Sequence, residues 1–154
     1  MRLGVRAALV DGALVEGDVS VQDGAVAAVG VRPAGSHGTA VPGFVDVHIN
    51  GTSGVDFFSA DEEAYRRAAQ SLAACGVVAF QPTFVSSPPE AYRDPLRLVG
   101  SVALDGLPQV VGVHLEGPFL SPEWAGAHDP ANLLPPKQAP RLERGLRRRP
   151  STER

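Results

Sequence analysis

The sequence has 154 residues, of which 44% are hydrophobic and 20% charged, and a formal net charge of −3. This composition is typical of a chain that folds around a core, and the charge gives no reason to expect a nucleic-acid partner. One cysteine excludes an intrachain disulfide framework, and charged residues interrupt the apolar N-terminus too early for a signal peptide or membrane span. We therefore expect a cytoplasmic protein that binds neither nucleic acid nor a membrane.

Short apolar runs separated by turn signals fill residues 1–40. Asp11-Gly12 and Asp23-Gly24 each lie between two apolar runs, an arrangement typical of β-hairpins. The Gly, Pro and Ser content of residues 32–40 indicates a connection without regular structure. The pattern predicts a β-meander with strands at residues 5–10, 14–21 and 25–31.

After residue 40 the pattern changes to an alternation of strands and helices. Ser59 and Glu62 are spaced as a capping box for a helix that Gly76 should end. Ser87 should cap a second helix, which Pro95 should kink or restart. Apolar runs predict strands at residues 41–48, 77–80 and 109–113. This order is typical of a parallel sheet with crossover helices.

Glu116 is the strongest candidate for a functional residue. It follows the third predicted strand and precedes Gly117-Pro118, where the chain should turn sharply. In an α/β barrel the carboxyl ends of the strands carry the chemistry, and a carboxylate held there is a candidate ligand for a hydrolytic metal. A helix cap or an ion pair with an arginine would explain the same carboxylate, and the residues alone leave both interpretations open.

His48 and Asn50 are two residues apart, as are His114 and Glu116, so each pair lies on one side of an extended strand. His48 is a candidate second metal ligand, but an asparagine amide is a weak ligand for zinc. The pattern therefore also allows Asn50 to be only a hydrogen-bonding residue and His48 only a core residue. His128 lies in a predicted loop, where it could contact a substrate or simply belong to a turn.

Several motifs, taken together and in order, resemble the N-acetylglucosamine-6-phosphate deacetylase family of the amidohydrolase superfamily. The stretch from His114 to Phe119, followed by Gly126-Ala127-His128-Asp129-Pro130, is the most specific part of the resemblance. The resemblance covers residues 1 to about 135, roughly the first two fifths of a family member with its barrel. The motifs are Pro42-Gly43-Phe44-Val45-Asp46-Val47-His48-Ile49-Asn50-Gly51, Gln81-Pro82-Thr83, His114-Leu115-Glu116-Gly117-Pro118-Phe119 and Gly126-Ala127-His128-Asp129-Pro130.

The resemblance implies an α/β fold, namely a partial (β/α)8 metal-dependent hydrolase barrel preceded by part of a small β-sandwich domain. Residues 1–40 would form the β-sandwich portion and residues 41–135 the first three βα units of the barrel. Residues 136–154 form an Arg/Pro-rich tail, which we hypothesise is non-native, for example out-of-frame, sequence because the α/β pattern gives way to it abruptly. A solvated basic tail or a basic arm for an acidic partner would explain the same composition.

The resemblance also implies roles for particular residues. Glu116 matches the metal-binding glutamate, and His48 the first histidine of a pair that holds a second metal in some members. Asn50 replaces the other histidine, which places this chain with the single-metal members and makes Asn50 a candidate substrate contact. Ala127 matches a position whose backbone contacts the substrate, and His128 matches a neighbouring residue of the same pocket, so both are candidates for substrate binding. The implied cofactor is a divalent cation, with zinc the first choice, and the implied assembly is a homodimer.

The implied reaction is the hydrolysis of the acetamide of N-acetylglucosamine 6-phosphate to glucosamine 6-phosphate and acetate. The family's remaining metal ligands and its catalytic aspartate come from later strands, so no catalytic residue is assigned within this chain. We therefore expect a truncated form that is inactive alone. Two alternatives stay open: a non-catalytic remnant or interaction module, and an amidohydrolase that acts on a different amide.

Overall fold

A computed structural model describes residues 1–136 and divides the chain into two units, with the boundary between Gly43 and Phe44. The predicted tail, residues 136–154, lies outside the described residues except for its first residue. The described elements are a mixture of strands and helices. None of the described helices has the length and apolar character that crossing a membrane requires.

The first unit consists of strands joined by tight turns. β1 pairs with β2 antiparallel and with β5 parallel, whereas β3 and β4 pair antiparallel with each other. Asp11 and Asp23, and the glycine after each, have positive φ angles, as the predicted hairpin turns require. Both predicted hairpin turns are therefore confirmed. The strands are β1 (Val5–Val10), β2 (Ala13–Glu16), β3 (Asp18–Gln22), β4 (Ala25–Val31) and β5 (His37–Ala40).

The predicted meander is wrong in its middle strand. Residues 14–21 divide at Gly17 into β2 and β3, and these two strands pair with different partners. Gly17 has a φ of +119°, and a Cβ at this position would lie 2.4 Å from the backbone carbon of Gly30. Only glycine allows this close approach of two backbone segments. The predicted connection also contains a strand, β5, at its end.

Asp18 is a buried carboxylate that ties the first unit together. Its Oδ1 accepts hydrogen bonds from the backbone N–H groups of Val19 at 2.7 Å and Val5 at 3.0 Å. Its Oδ2 accepts one from Nε of Arg2 at 2.9 Å. Burial acts to raise the pKa of Asp18, but the hydrogen bonds and the arginine charge outweigh it and hold this pKa below its ordinary value.

The lowered pKa of Asp18 predicts a pH-dependent stability. An unfolded aspartate has a pKa of about 3.9, so the ionised side chain stabilises the fold above that pH. The stabilisation is lost as the pH falls through the lower pKa of the folded state. We expect Asp18→Asn to flatten the decline of the free energy of unfolding below about pH 4. Urea unfolding at pH 7 and at acid pH measures this decline.

Asp11→Asn is the matched control for the Asp18 experiment. Asp11 is an exposed turn residue with a positive φ, which asparagine also adopts readily. The Asp11 variant should keep the pH dependence of the unsubstituted chain. An Asp18 variant with that same acid decline would show that the buried carboxylate does not contribute to it.

The second unit is built around a central strand, β9. Strands β6, β10 and β11 all pair with β9 in parallel, which confirms the predicted parallel sheet. The short strands β7 and β8 form a separate hairpin after β6. The strands and helices are β6 (Phe44–Ile49), β7 (Gly51–Thr52), β8 (Val55–Asp56), α1 (Glu62–Ala74), β9 (Val77–Val85), α2 (Arg93–Ser101), β10 (Gln109–Val110) and β11 (His114–Glu116). Three 3-10 helices are Pro89–Tyr92, Pro122–Trp124 and Pro130–Asn132.

Neither predicted helix cap is correct. Asp61, rather than Ser59, caps α1, because its Oδ1 accepts a hydrogen bond from the N–H of Ala64 at 2.8 Å. The segment after Ser87 begins as a 3-10 helix without a side-chain cap, and α2 restarts at Arg93. Pro95 therefore lies in the first turn of α2, where a missing N–H costs no intrahelical hydrogen bond. The predicted end of α1 at Gly76, with a φ of +81°, is confirmed.

Two predicted strands differ in extent from the observed ones. The strand predicted at residues 77–80 continues to Val85 as β9. The strand predicted at residues 109–113 is interrupted, and its two parts, β10 and β11, pair with successive stretches of β9. Glu116 is consequently the last residue of a strand, not a residue after one.

An aromatic core joins α1 to the sheet of the second unit. The rings of Phe57 and Phe80 stack with their centroids 5.4 Å apart, and Tyr65 packs against Phe57 at 4.9 Å. Each of these three residues is at most 1% exposed. The helix thereby supports β9, the strand with which β6 and β11, the strands that carry His48 and Glu116, pair. The apolar face of α1 is formed by Ala64, Tyr65, Ala68, Ala69 and Leu72.

Candidate metal and substrate site

The functional candidates meet where the parallel strands of the second unit end. Glu116 closes β11 and lies opposite Val85, the last residue of β9. His48 lies near the end of β6, and Asn50 follows that strand directly. Because carboxyl ends of parallel strands share one edge of a sheet, these side chains approach each other although they are far apart in the sequence.

The carboxylate of Glu116 is the centre of this group. Its Oε2 lies 3.5 Å from Nε2 of His48 and accepts a hydrogen bond from Nδ2 of Asn50 at 3.3 Å. Its Oε1 lies 3.4 Å from Nε2 of His128. The structure thus brings Glu116, His48, Asn50 and His128 together, as expected if all four belong to one site.

Glu116 is ionised at neutral pH. Burial raises its pKa, but hydrogen bonds from Asn50, His128 and His48 outweigh that effect, so the pKa lies below its ordinary value. The side chain remains 32% exposed, which leaves the carboxylate accessible from outside. An accessible anion with a histidine nitrogen beside it is chemically suited to bind a cation.

A cavity of about 670 Å³ opens beside Glu116. Its volume lies within the range of small-molecule sites, about 300–1,000 Å³. Ala127, a predicted substrate contact, is part of its wall together with Asn50 and His128. The full lining is Asn50, Asp56, Phe58, Thr83, Val85, Glu116, Leu120, Trp124, Ala125, Gly126, Ala127 and His128.

Trp124 is a cavity residue that the sequence did not single out, and Thr83 was part of the Gln81-Pro82-Thr83 motif without a predicted role. Trp124 is 83% exposed, lies in the loop after Glu116 and is the single tryptophan of the chain. Its position in the sequence, between the His114–Phe119 and Gly126–Pro130 motifs, could have indicated that it lies near the site. Thr83 is almost fully buried, and its Oγ1 lies 3.3 Å from Nδ1 of His114. His114 in turn packs edge-on against His48, with ring centroids 4.6 Å apart.

The residues present supply only part of a catalytic metal site. Within residues 1–136, no group of three or more His, Cys, Asp or Glu side chains is arranged to hold a metal ion. Glu116 and His48 are donors of the right chemistry, whereas a catalytic zinc usually has three protein ligands. The described part of the chain therefore does not complete such a site by itself.

Comparison with known proteins finds matches among sugar-phosphate deacetylases. No family model matches the chain. N-acetylglucosamine-6-phosphate deacetylase of Mus musculus is 47% identical over 98 residues, which cover 60% of this chain and 24% of that protein. N-acetylglucosamine-6-phosphate deacetylase of Thermotoga maritima has a similar structure, with a TM-score of 0.76 and 32% identity over 90% of this chain and 38% of that one. The chain is similar to part of the N-acetylglucosamine-6-phosphate deacetylases.

Further matches support the similarity to these deacetylases. The structure of the Mycobacterium smegmatis enzyme of the same name gives a TM-score of 0.73 at 29% identity, over 88% of this chain and 41% of that one. N-acetylgalactosamine-6-phosphate deacetylase of Escherichia coli O157:H7 is 29% identical over 126 residues, 78% of this chain and 33% of that protein. The resemblance predicted from the motifs is confirmed, and the chain spans about a quarter of the length of the first curated relatives it matches.

Proposed function

We propose that this chain contributes to the hydrolysis of the acetamide of N-acetylglucosamine 6-phosphate, which yields glucosamine 6-phosphate and acetate. The observation that carries the proposal is the ionised Glu116 carboxylate, which faces a small-molecule cavity with His48, Asn50 and His128 around it. The deacetylases that the chain resembles carry this substrate in their names.

The proposed architecture is a β-sandwich portion at residues 1–40 and the first three βα units of a (β/α)8 barrel at residues 41–135. Three parallel strand positions, with helices between them, support the barrel. Further support comes from the sheet valines Val45, Val47 and Val111, which are 55–58% exposed although they lie in or beside strands that pair in parallel with β9. Strands of a parallel sheet are normally covered on both faces, as they are in a closed barrel.

The proposed cofactor is a divalent cation, with zinc favoured because histidine nitrogen and carboxylate oxygen are among its usual ligands. Glu116 and His48 would be two of its ligands. When bound, such a cation polarises an amide carbonyl and makes water a better nucleophile. The described residues do not complete its ligand set, and no residue among them is assigned as the proton carrier.

The chain's own residues would bind and orient the sugar. Asn50 has a second amide hydrogen bond, to the carbonyl of Thr83 at 3.4 Å, which holds its side chain at the cavity wall. His128 is only 5% exposed in its side chain and directs Nε2 at Glu116. We assign Ala127, His128 and Asn50 to substrate binding. The same resemblance leads us to propose that the protein is a homodimer, which light scattering tests. We also propose that it is located in the cytoplasm, which cell fractionation tests.

An epimeric substrate, N-acetylgalactosamine 6-phosphate, is the second candidate. It is favoured by the relative of that name from Escherichia coli O157:H7, whose match covers a larger share of this chain than the Mus musculus match does. The two sugars differ at one hydroxyl group, so a direct comparison of their affinities separates the candidates.

Binding of the sugar should be visible in the fluorescence of Trp124, because this side chain is highly exposed and lines the cavity. We expect a saturable shift of the emission to shorter wavelength when N-acetylglucosamine 6-phosphate is added to the zinc-supplemented chain. With one tryptophan in the sequence, the signal is assigned without ambiguity. The titration is repeated with N-acetylgalactosamine 6-phosphate and with unphosphorylated N-acetylglucosamine.

Calorimetry with Trp124→Phe is the control for this titration, since that variant retains an aromatic wall and loses the emission. A folded chain that gives neither a fluorescence change nor heat with any of the three sugars would contradict the proposed binding. Tighter binding of N-acetylgalactosamine 6-phosphate than of N-acetylglucosamine 6-phosphate would make the former the proposed substrate.

A further inference from the structure

Ser86 occupies an unusual position among the residues around Glu116. It follows β9 directly and is only 3% exposed, yet it does not line the cavity. Its hydroxyl bonds to Glu116 at the end of β11, and its N–H and carbonyl bond to His128 and Asn132 in the loop at residues 126–132. A small buried residue whose hydroxyl and backbone polar groups all engage distant residues is placed to orient them.

The backbone N–H of Ser86 determines how His128 faces Glu116. This N–H donates to Nδ1 of His128 at 3.2 Å. A ring nitrogen that accepts a hydrogen bond carries no proton, so the neutral imidazole carries its proton on Nε2. That Nε2 lies 3.4 Å from Oε1 of Glu116, which makes His128 a donor to the carboxylate. Oε2 is left to face His48 and Asn50.

The hydroxyl of Ser86 holds the turn that follows Glu116. Its Oγ donates to the carbonyl oxygen of Glu116 at 3.2 Å. The next residue, Gly117, has a φ of +90°, and a Cβ there would lie 2.1 Å from Oγ of Ser86. Glycine is therefore required at this position both by its backbone conformation and by the hydroxyl that packs against it.

The carbonyl of Ser86 makes a second bond to the loop that carries His128. It accepts a hydrogen bond from Nδ2 of Asn132 at 3.4 Å, in the 3-10 helix Pro130–Asn132 that closely follows His128. The ends of β9 and β11 and the loop at residues 126–132 are thus joined through one residue.

We propose that Ser86 is a positioning residue. Its hydroxyl holds the backbone carbonyl of Glu116, and its N–H orients His128, which donates to the Glu116 carboxylate. This inference rests on the proposed function only in taking a divalent cation as the ligand of Glu116. The hydrogen-bonded geometry does not depend on that assignment. Loss of an outer partner of a metal ligand typically weakens metal binding about 10- to 100-fold.

The test compares Ser86→Ala with Ser87→Ala in the full chain. Ser87 is the adjacent residue, and its Oγ bonds to the carbonyl of Val85 at 3.3 Å rather than to the site. Zinc affinity is measured by competition with a chromogenic chelator, and thermal unfolding is measured in parallel. Ser86→Ala should weaken zinc binding about 10-fold relative to Ser87→Ala. Equal zinc affinities of the two variants, with a lower unfolding temperature for Ser86→Ala, would overturn the proposal and leave Ser86 a purely structural role.

Amide hydrogen exchange separates this inference from the proposed function. If the unsubstituted chain binds no zinc, the proposal that its own residues hold the cation without further ligands fails. Ser86 is then judged by exchange at Gly117, which should accelerate in Ser86→Ala and not in Ser87→Ala, because alanine removes the hydroxyl bond to Glu116 and keeps the N–H bond to His128. Unchanged exchange would overturn the inference. If Ser86→Ala does not fold, Asn132→Ala decides instead. Asn132→Ala should weaken zinc binding or accelerate amide exchange at Gly117, by a smaller factor than expected for Ser86→Ala. The absence of both effects would contradict the proposal.

Discussion

Replacement of Glu116 by glutamine should weaken zinc binding by at least about 100-fold, because loss of an outer partner alone costs about 10- to 100-fold and here a ligand is lost. The substitution also disturbs the surroundings. His128 and Asn50 direct donors at the two carboxylate oxygens, and a glutamine amide would present its own NH2 group to one of them. Chelator competition at neutral pH measures the affinity.

Glu123→Gln is the matched control for the Glu116 experiment. Glu123 carries the same charge in the same loop region, but it lies in the 3-10 helix Pro122–Trp124 and is exposed. Its variant should bind zinc as the unsubstituted chain does. If both variants lose affinity equally, the effect comes from net charge, and Glu116 is not a specific ligand.

Phe80→Ala should lower the free energy of unfolding by about 3–5 kcal/mol, the usual cost of truncating a buried phenylalanine. Phe80 is completely buried in the central strand β9 and stacks on Phe57. The loss is a large fraction of the roughly 5–15 kcal/mol that stabilises a typical domain. Urea unfolding followed by circular dichroism measures it.

Val78→Ala, in the same strand, separates core packing from strand propensity. Val78 is 53% exposed, so its truncation should cost less than about 1 kcal/mol. Similar losses in the two variants would contradict the placement of Phe80 in the core between the sheet and α1.

Local sequence patterns were sufficient to predict the tight turns and the end of helix α1. The Asp-Gly turns and the Gly76 helix end depend on positive φ angles that few residues adopt, so their residue types predict them directly. The apolar positions of α1 recur at helical spacing and form its buried face. The choice between Ser59 and Asp61 as helix cap was wrong because both residues can serve, and only the hydrogen bond to Ala64 decides between them.

The candidate site was predictable where it depends on the ends of strands. Glu116 and His48 were singled out because parallel strands direct their carboxyl ends to one edge, and the structure places the two side chains 3.5 Å apart. Ser86 could not be found this way, since its role arises from bonds to residues 30 to 46 positions away. The division of β2 from β3 was missed for the same reason, because Gly17 is required by a distant backbone at Gly30.

A chimera tests most directly whether this chain carries a working part of a deacetylase site. Residues 44–136 replace the matching segment of the Thermotoga maritima deacetylase, and acetate release from N-acetylglucosamine 6-phosphate is measured with zinc, after thermal unfolding has shown that the protein is folded. We predict acetate release that Glu116→Gln lowers at least about 100-fold. A folded chimera that releases no acetate, or that is equally active with Glu116→Gln, would contradict the assignment of Glu116 to the catalytic centre.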